Sequence, residues 1–117
     1  MLVTENRLES AADRIALAAI LDARGRPEEA QETLREALSM LEQALGPDHY
    51  EVAVRLNELA ALVQRAGAPA QAAILYERAL GIQRRVLGRD HADVALTVAN
   101  LAVCRESREQ SRERRTR

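Results

Sequence analysis

The chain has 117 residues and a formal net charge of −1, from 17 basic and 18 acidic side chains. That length allows one domain with a modest core. The apolar 47% is nearly all Ala, Leu, Val and Ile, with Tyr50 and Tyr76 as the only aromatics. The single cysteine, Cys104, excludes an intrachain disulfide and a multi-cysteine metal site. No run approaches the roughly 18 apolar residues of a membrane span.

The N-terminus, Met1 to Asn6, has no basic region followed by an apolar run. A secretory leader is therefore not expected, and the cytoplasm is the expected location. A first helix is predicted over 4–23. It stops at Gly25-Arg26-Pro27, where Gly accepts the left-handed conformation past a helix end and Pro opens the next helix. The second helix is predicted over 27–44, with Glu28 and Glu29 at the positive end of its dipole. Leu45-Gly46-Pro47-Asp48 follows; Gly46 ends that helix and Asp48 is expected to cap the third, over 48–65, with Glu51 completing a capping box. Val52, Leu56, Leu59 and Val63 form its apolar stripe. Gly67-Ala68-Pro69 leads to a fourth helix over 69–86, striped by Ala72, Tyr76, Ala79 and Leu80. Leu87-Gly88-Arg89-Asp90 leads to a fifth, over 90–108. No segment alternates with period two, so the fold class is all-α. Short turns make consecutive helices antiparallel neighbours.

These elements repeat. Leu45-Gly46-Pro47-Asp48-His49 returns 42 residues later as Leu87-Gly88-Arg89-Asp90-His91. The same offset pairs Gly25 with Gly67, Pro27 with Pro69, Ala37-Leu38 with Ala79-Leu80, and Leu17-Ala18-Ala19 with Leu59-Ala60-Ala61. A fixed period of this size predicts an α-solenoid of antiparallel helix pairs, here about two and a half repeats in five helices. The fifth helix puts Arg105 where Leu21 and Val63 stand in the earlier copies, so its outer face is expected to meet water. Cys104 aligns with Ile20 and Leu62 and is expected in the core. Residues 1–108 are read as the repeat domain and 109–117 as an Arg-rich polar tail.

Leu59-Ala60, Val63, Gly67, Ala72, Tyr76 and Ala79 resemble the tetratricopeptide repeat, as do Leu17-Ala18, Leu21, Gly25, Ala30, Leu34 and Ala37. The family's usual period is 34 residues. The longer period with Leu-Gly-x-Asp-His between repeats is similar to kinesin light chains and many bacterial repeat proteins. The exclusive use of Arg over Lys also fits the codon bias of a GC-rich genome.

The resemblance implies a module that binds proteins through a concave groove lined by the first helix of each pair. Carried onto this chain, the groove places are Ala12, Ile15 and Ala19, then Val54, Asn57, Glu58 and Ala61, then Leu96, Asn100 and Val103. Ile15, Ala19, Glu58 and Leu96 stand where family members that clamp a C-terminal carboxylate carry basic or amide residues, so that clamp is absent. What remains is an apolar groove with a polar strip of Asn57, Glu58 and Asn100, suited to a peptide or amphipathic helix of a partner protein. Self-association through the groove or an open repeat end is the alternative, because so short an array lends itself to completion by another copy.

Catalysis and cofactors find no support. Ser10, Ser39, Ser107 and Ser111 have no recurring base beside them, and no phosphate-cradling glycine loop exists. His49 and His91 lie one repeat apart, on successive layers, with no third ligand in register for a metal. Residues 105–117 hold six Arg and three Glu, a surplus of about +3. That tail is the one feature that points to nucleic acid; without interleaved aromatics and with Glu106, Glu109 and Glu113 diluting its charge, a nucleic-acid accessory is the weaker alternative.

Overall fold

Five helices account for the described residues, 2–116, in a computed structural model whose side chains are described from Glu5 onward. They are α1 (Leu2–Ala23), α2 (Pro27–Leu45), α3 (Tyr50–Arg65), α4 (Pro69–Leu87) and α5 (Ala92–Thr116). No strand occurs among the described residues. The architecture is an all-α helical-repeat solenoid.

Two kinds of turn alternate. Within each pair the chain closes a helix with a double hydrogen bond: Gly67 N–H donates to the Gln64 carbonyl at 3.0 Å and Ala68 N–H to the Val63 carbonyl at 3.2 Å. Gly25 and Arg26 repeat the pattern onto Asp22 and Leu21. Pro27 and Pro69 then occupy the first helical turn, where no N–H is needed. Between pairs the glycine itself is the cap. Gly46 has φ 94° and ψ 154°, and Gly88 has φ 87° and ψ 159°, a region open essentially to glycine alone.

The second turn departs from expectation by one residue. α3 starts at Tyr50 because His49, not Asp48, is its cap: the imidazole Nδ1 accepts the Glu51 N–H at 3.1 Å. His91 holds the Asp93 N–H at 3.0 Å in the same way, and α5 starts at Ala92. Asp48 is left free to reach Arg85 of α4 at 2.8 Å. The histidines are thus caps and not members of the first turn. α5 also runs to Thr116, past the expected end at 108. Its last stretch is rich in Arg and Glu, strong helix formers that continue a helix without packing.

The pairs α1–α2 and α3–α4 stack, with α2 against α3 and α4 against α5. The result is a slab of 58 × 35 × 19 Å with a radius of gyration of 15.4 Å, above the roughly 13 Å of a sphere-like chain this long. α3 sits at the centre and buries Val52, Ala53, Leu56, Leu59, Ala60, Leu62 and Val63. Tyr76 is buried on α4, and its hydroxyl donates to Gln64 Oε1 of α3 at 3.1 Å. Cys104 is fully buried on α5, as its register predicts. The outer helices show what the stack leaves uncovered. Leu56, fully buried against α4, corresponds to Val98 of α5 at 42% exposure, and Val63 corresponds to the exposed Arg105. Leu59 corresponds to Leu17 of α1, at 47%.

Candidate functional site

Two hollows open on the face where α1, α3 and α5 lie side by side. The first, about 450 Å³, lies between α1 and α3, with buried Leu34 of α2 beneath. Ile15, Ala16, Ala19, Glu58 and Ala61 line it. The second, about 270 Å³, lies between α3 and α5 and is lined by Val54, Asn57, Glu58, Leu96 and Asn100. Glu58 borders both, so the hollows are neighbours along one face. The geometry therefore brings together eight of the ten residues singled out from the sequence. Ala12 and Val103 are exposed on α1 and α5 and border neither hollow.

The two hollows differ in charge. The first carries its ions as closed pairs. Arg65 meets Asp22 of α1 at 3.1 Å, and Arg55 bridges Glu58 at 2.8 Å and Glu51 at 3.4 Å along α3. The Arg65–Asp22 pair is exposed, and pairs of that kind add little stability, roughly 0–1 kcal/mol each. The second hollow has no basic residue in its wall. Its polar groups are wired across helices instead. The Tyr50 hydroxyl donates to Asp93 Oδ2 at 3.1 Å. Asn57 Nδ2 donates to Thr97 Oγ1 at 3.2 Å, and that hydroxyl donates to the Asp93 carbonyl at 3.1 Å. The Asp93 carboxylate, as hydrogen-bond acceptor and nearby negative charge, holds the Tyr50 hydroxyl above its usual pKa.

Four residues of this wall escaped the sequence reading: Tyr50, Gln83, Asp93 and Thr97. One of them had left a signal in the register. Gln83 stands 42 residues after Leu41, a buried core leucine, and is itself only 3% exposed. A polar side chain in a core row is a departure that comparison of the copies exposes. Thr97 stands where the other copies carry Asp13 and Arg55, so the register gives no sign of its burial.

Among the described residues, no three His, Cys, Asp or Glu side chains gather as a metal site. His49 and His91 are occupied as caps. No described helix is long and apolar enough to cross a membrane.

A family model for the tetratricopeptide repeat matches residues 8–84. The chain belongs to the tetratricopeptide repeat family. Tetratricopeptide repeats in general mediate protein–protein interaction and are non-catalytic scaffolds. Among solved structures, the chain is similar to the crystal structure of BtubC (BKLC) from P. vanneervenii, with a TM-score of 0.78 and 27% identity. The likeness covers 85% of this chain and 40% of that one, so the chain spans less than half of that relative's length. BtubC is a kinesin-light-chain-like tetratricopeptide protein, which agrees with the subtype that the 42-residue period suggests. A search of curated proteins gives no match.

Proposed function

We propose that the face formed by α1, α3 and α5 is a groove in which a peptide or amphipathic helix of a partner protein lies, and that the protein works as a cytoplasmic adaptor. The observation that carries this reading is the pair of adjacent hollows sharing Glu58, with alanines and aliphatic side chains in their walls and Asn57 and Asn100 in the second. Small side chains leave room for a ligand's bulk. The amides can grip its backbone. In this reading residues 1–108 are the working unit, and 109–117 is a polar extension beyond the last buried side chain, Cys104.

The test uses peptides selected from a random library on the intact protein. Ala61→Trp fills the first hollow, and Asn57→Ala with Asn100→Ala strips the amides from the second. Selected peptides are expected to weaken on both variants, by about 1 kcal/mol for each hydrogen bond lost in the second. Peptides that bind wild type and variants alike remove the groove from the argument.

A second reading is self-association through α5. Ala95, Val98 and Ala102 are exposed there, whereas their counterparts on α3, Ala53, Leu56 and Ala60, are fully buried against α4. Light scattering at high concentration tests it, and a strict monomer ends it.

A further inference from the structure

We propose that the hollow between α3 and α5 is a seat for a cationic side chain, a guanidinium first of all, carried by the partner segment. The inference rests on the groove reading for how that side chain is delivered.

Gln83 borders this hollow, is 3% exposed, and its Oε1 has no partner. Asn57 Oδ1 is likewise buried without a partner. Both hydroxyls of the wall are committed, Tyr50 to Asp93 and Thr97 to a backbone carbonyl, and one Asn57 N–H serves Thr97. The Gln83 and Asn57 oxygens are the buried polar atoms of the wall that lack a partner. An unsatisfied buried acceptor is costly, so a donor-rich group entering here gains more than it would in water.

Charge narrows the choice of donor. Asp93 has no Arg within 4.0 Å among the described residues, and its nearest basic atom is His91 Nδ1 at 3.9 Å. That nitrogen is already an acceptor from the Asp93 N–H, so it does not supply a cation to the carboxylate. A neutral peptide N–H brings one donor and no charge. A guanidinium brings five donors in a planar fork together with a full positive charge. The amides of Asn57 and Gln83 turn about broad terminal torsions, so their oxygens can swing toward a group that enters. About 270 Å³ suffices for that head, and exposed Leu96 offers an apolar wall for the stem. The neighbouring hollow is unsuited, because Arg55 and Arg65 already stand in it.

The experiment titrates the 15N-labelled intact protein with N-acetyl-arginine methylamide and, separately, with the neutral isostere N-acetyl-citrulline methylamide. The arginine compound is expected to shift the side-chain amide signals of Asn57 and Gln83 saturably, with citrulline weaker by about tenfold or more. Asp93→Asn should weaken the arginine compound by a similar factor. Gln83→Leu, chosen because leucine already fills that row at position 41, should remove the arginine-specific shift should the first variant not fold. Equal binding of citrulline, shifts elsewhere on the surface, or full affinity in the variants overturns the proposal. The two readings fail separately. Selected peptides that respond to Ala61→Trp while arginine shows no preference sink the cation seat alone; an arginine response with groove-indifferent peptides sinks the groove alone.

Discussion

Gln83→Leu should stabilise the fold. Gln83 is 3% exposed on α4, and its Oε1 has no partner. Removing a buried, unsatisfied acceptor recovers roughly 1–3 kcal/mol. Replacing the amide by branched methyls adds apolar burial worth about 0.8 kcal/mol per group. Against this stands the cost of repacking a site shaped for a planar amide, about 1–1.5 kcal/mol for a near-isovolumetric change. The net expectation is a gain of about 1–3.5 kcal/mol. At roughly 2.1 cal/mol/K of unfolding entropy per residue, each kcal/mol raises the melting temperature of a chain this size by about 4 °C, so the shift should be about 4–14 °C.

Helical circular dichroism against temperature and urea measures both quantities, and Leu41→Gln provides the mirror image. Leu41 is 4% exposed in the same row of α2, so that variant should lose stability by more than Gln83→Leu gains. A Gln83→Leu protein that melts lower than wild type would falsify the reasoning, because it would mean that the amide oxygen is well satisfied in solution. The cation seat would lose its strongest support with it.

Two further outcomes follow from the backbone and from the buried thiol and phenol. Gly46→Ala should cost about 1–3 kcal/mol, because φ 94° and ψ 154° strain any L side chain. Gly81→Ala should instead gain about 0.5–1 kcal/mol, because Gly81 is helical and a Cβ there meets nothing within 4 Å; urea midpoints of the two variants should move in opposite directions. Burial pushes the Tyr76 hydroxyl above its ordinary 10.0 and the Cys104 thiol above its ordinary 9.0. The folded state therefore holds these protons more tightly than the unfolded chain. Their contribution is fully present below the ordinary values and is lost as pH rises through the raised ones. Urea midpoints should fall from about pH 9 upward, and Tyr76→Phe with Cys104→Ala should flatten that fall; an unchanged slope refutes the assignment.

Much of the fold was legible because its signals are local. A glycine with positive φ, a proline in the first turn and a three-to-four-residue apolar stripe each act within a few residues, and the 42-residue period repeats them. The caps were misplaced by one residue for an equally local reason. Asp48 and His49 are adjacent, both carry acceptors, and only the backbone geometry after Gly46 decides between them. The length of α5 was hidden because its apolar pattern stops at Cys104, while the helix continues on residues that pack against little. The site was half legible. Asn57, Glu58 and Asn100 lie on the first helices, where the family resemblance directs attention. Gln83 lies on a second helix. Tyr50–Asp93 and Asn57–Thr97 join residues 43 and 40 apart, and no periodicity of a single helix reports such pairings.

In a stack built from copies, positions that agree do the work of stacking. A position that differs is free of that duty or serves another. Exposed differences decide little, since the surface tolerates most side chains. Buried polar ones are different, because each carries a desolvation cost that the neighbouring copy shows to be avoidable. Gln83 in place of Leu41 is such a position, and it borders the hollow between α3 and α5, as does Thr97, whose row in the other copies is Asp13 and Arg55. Thr97 is satisfied by two hydrogen bonds and needs no further account. Gln83 is not: its oxygen, like Asn57 Oδ1, has no internal partner, and it alone stands in a row that another copy fills with leucine. A single substitution, Gln83→Leu, therefore reads both sides of the question. A fold that becomes more stable while losing arginine shows the amide held there for a ligand; a fold that becomes less stable shows it held there for the stack.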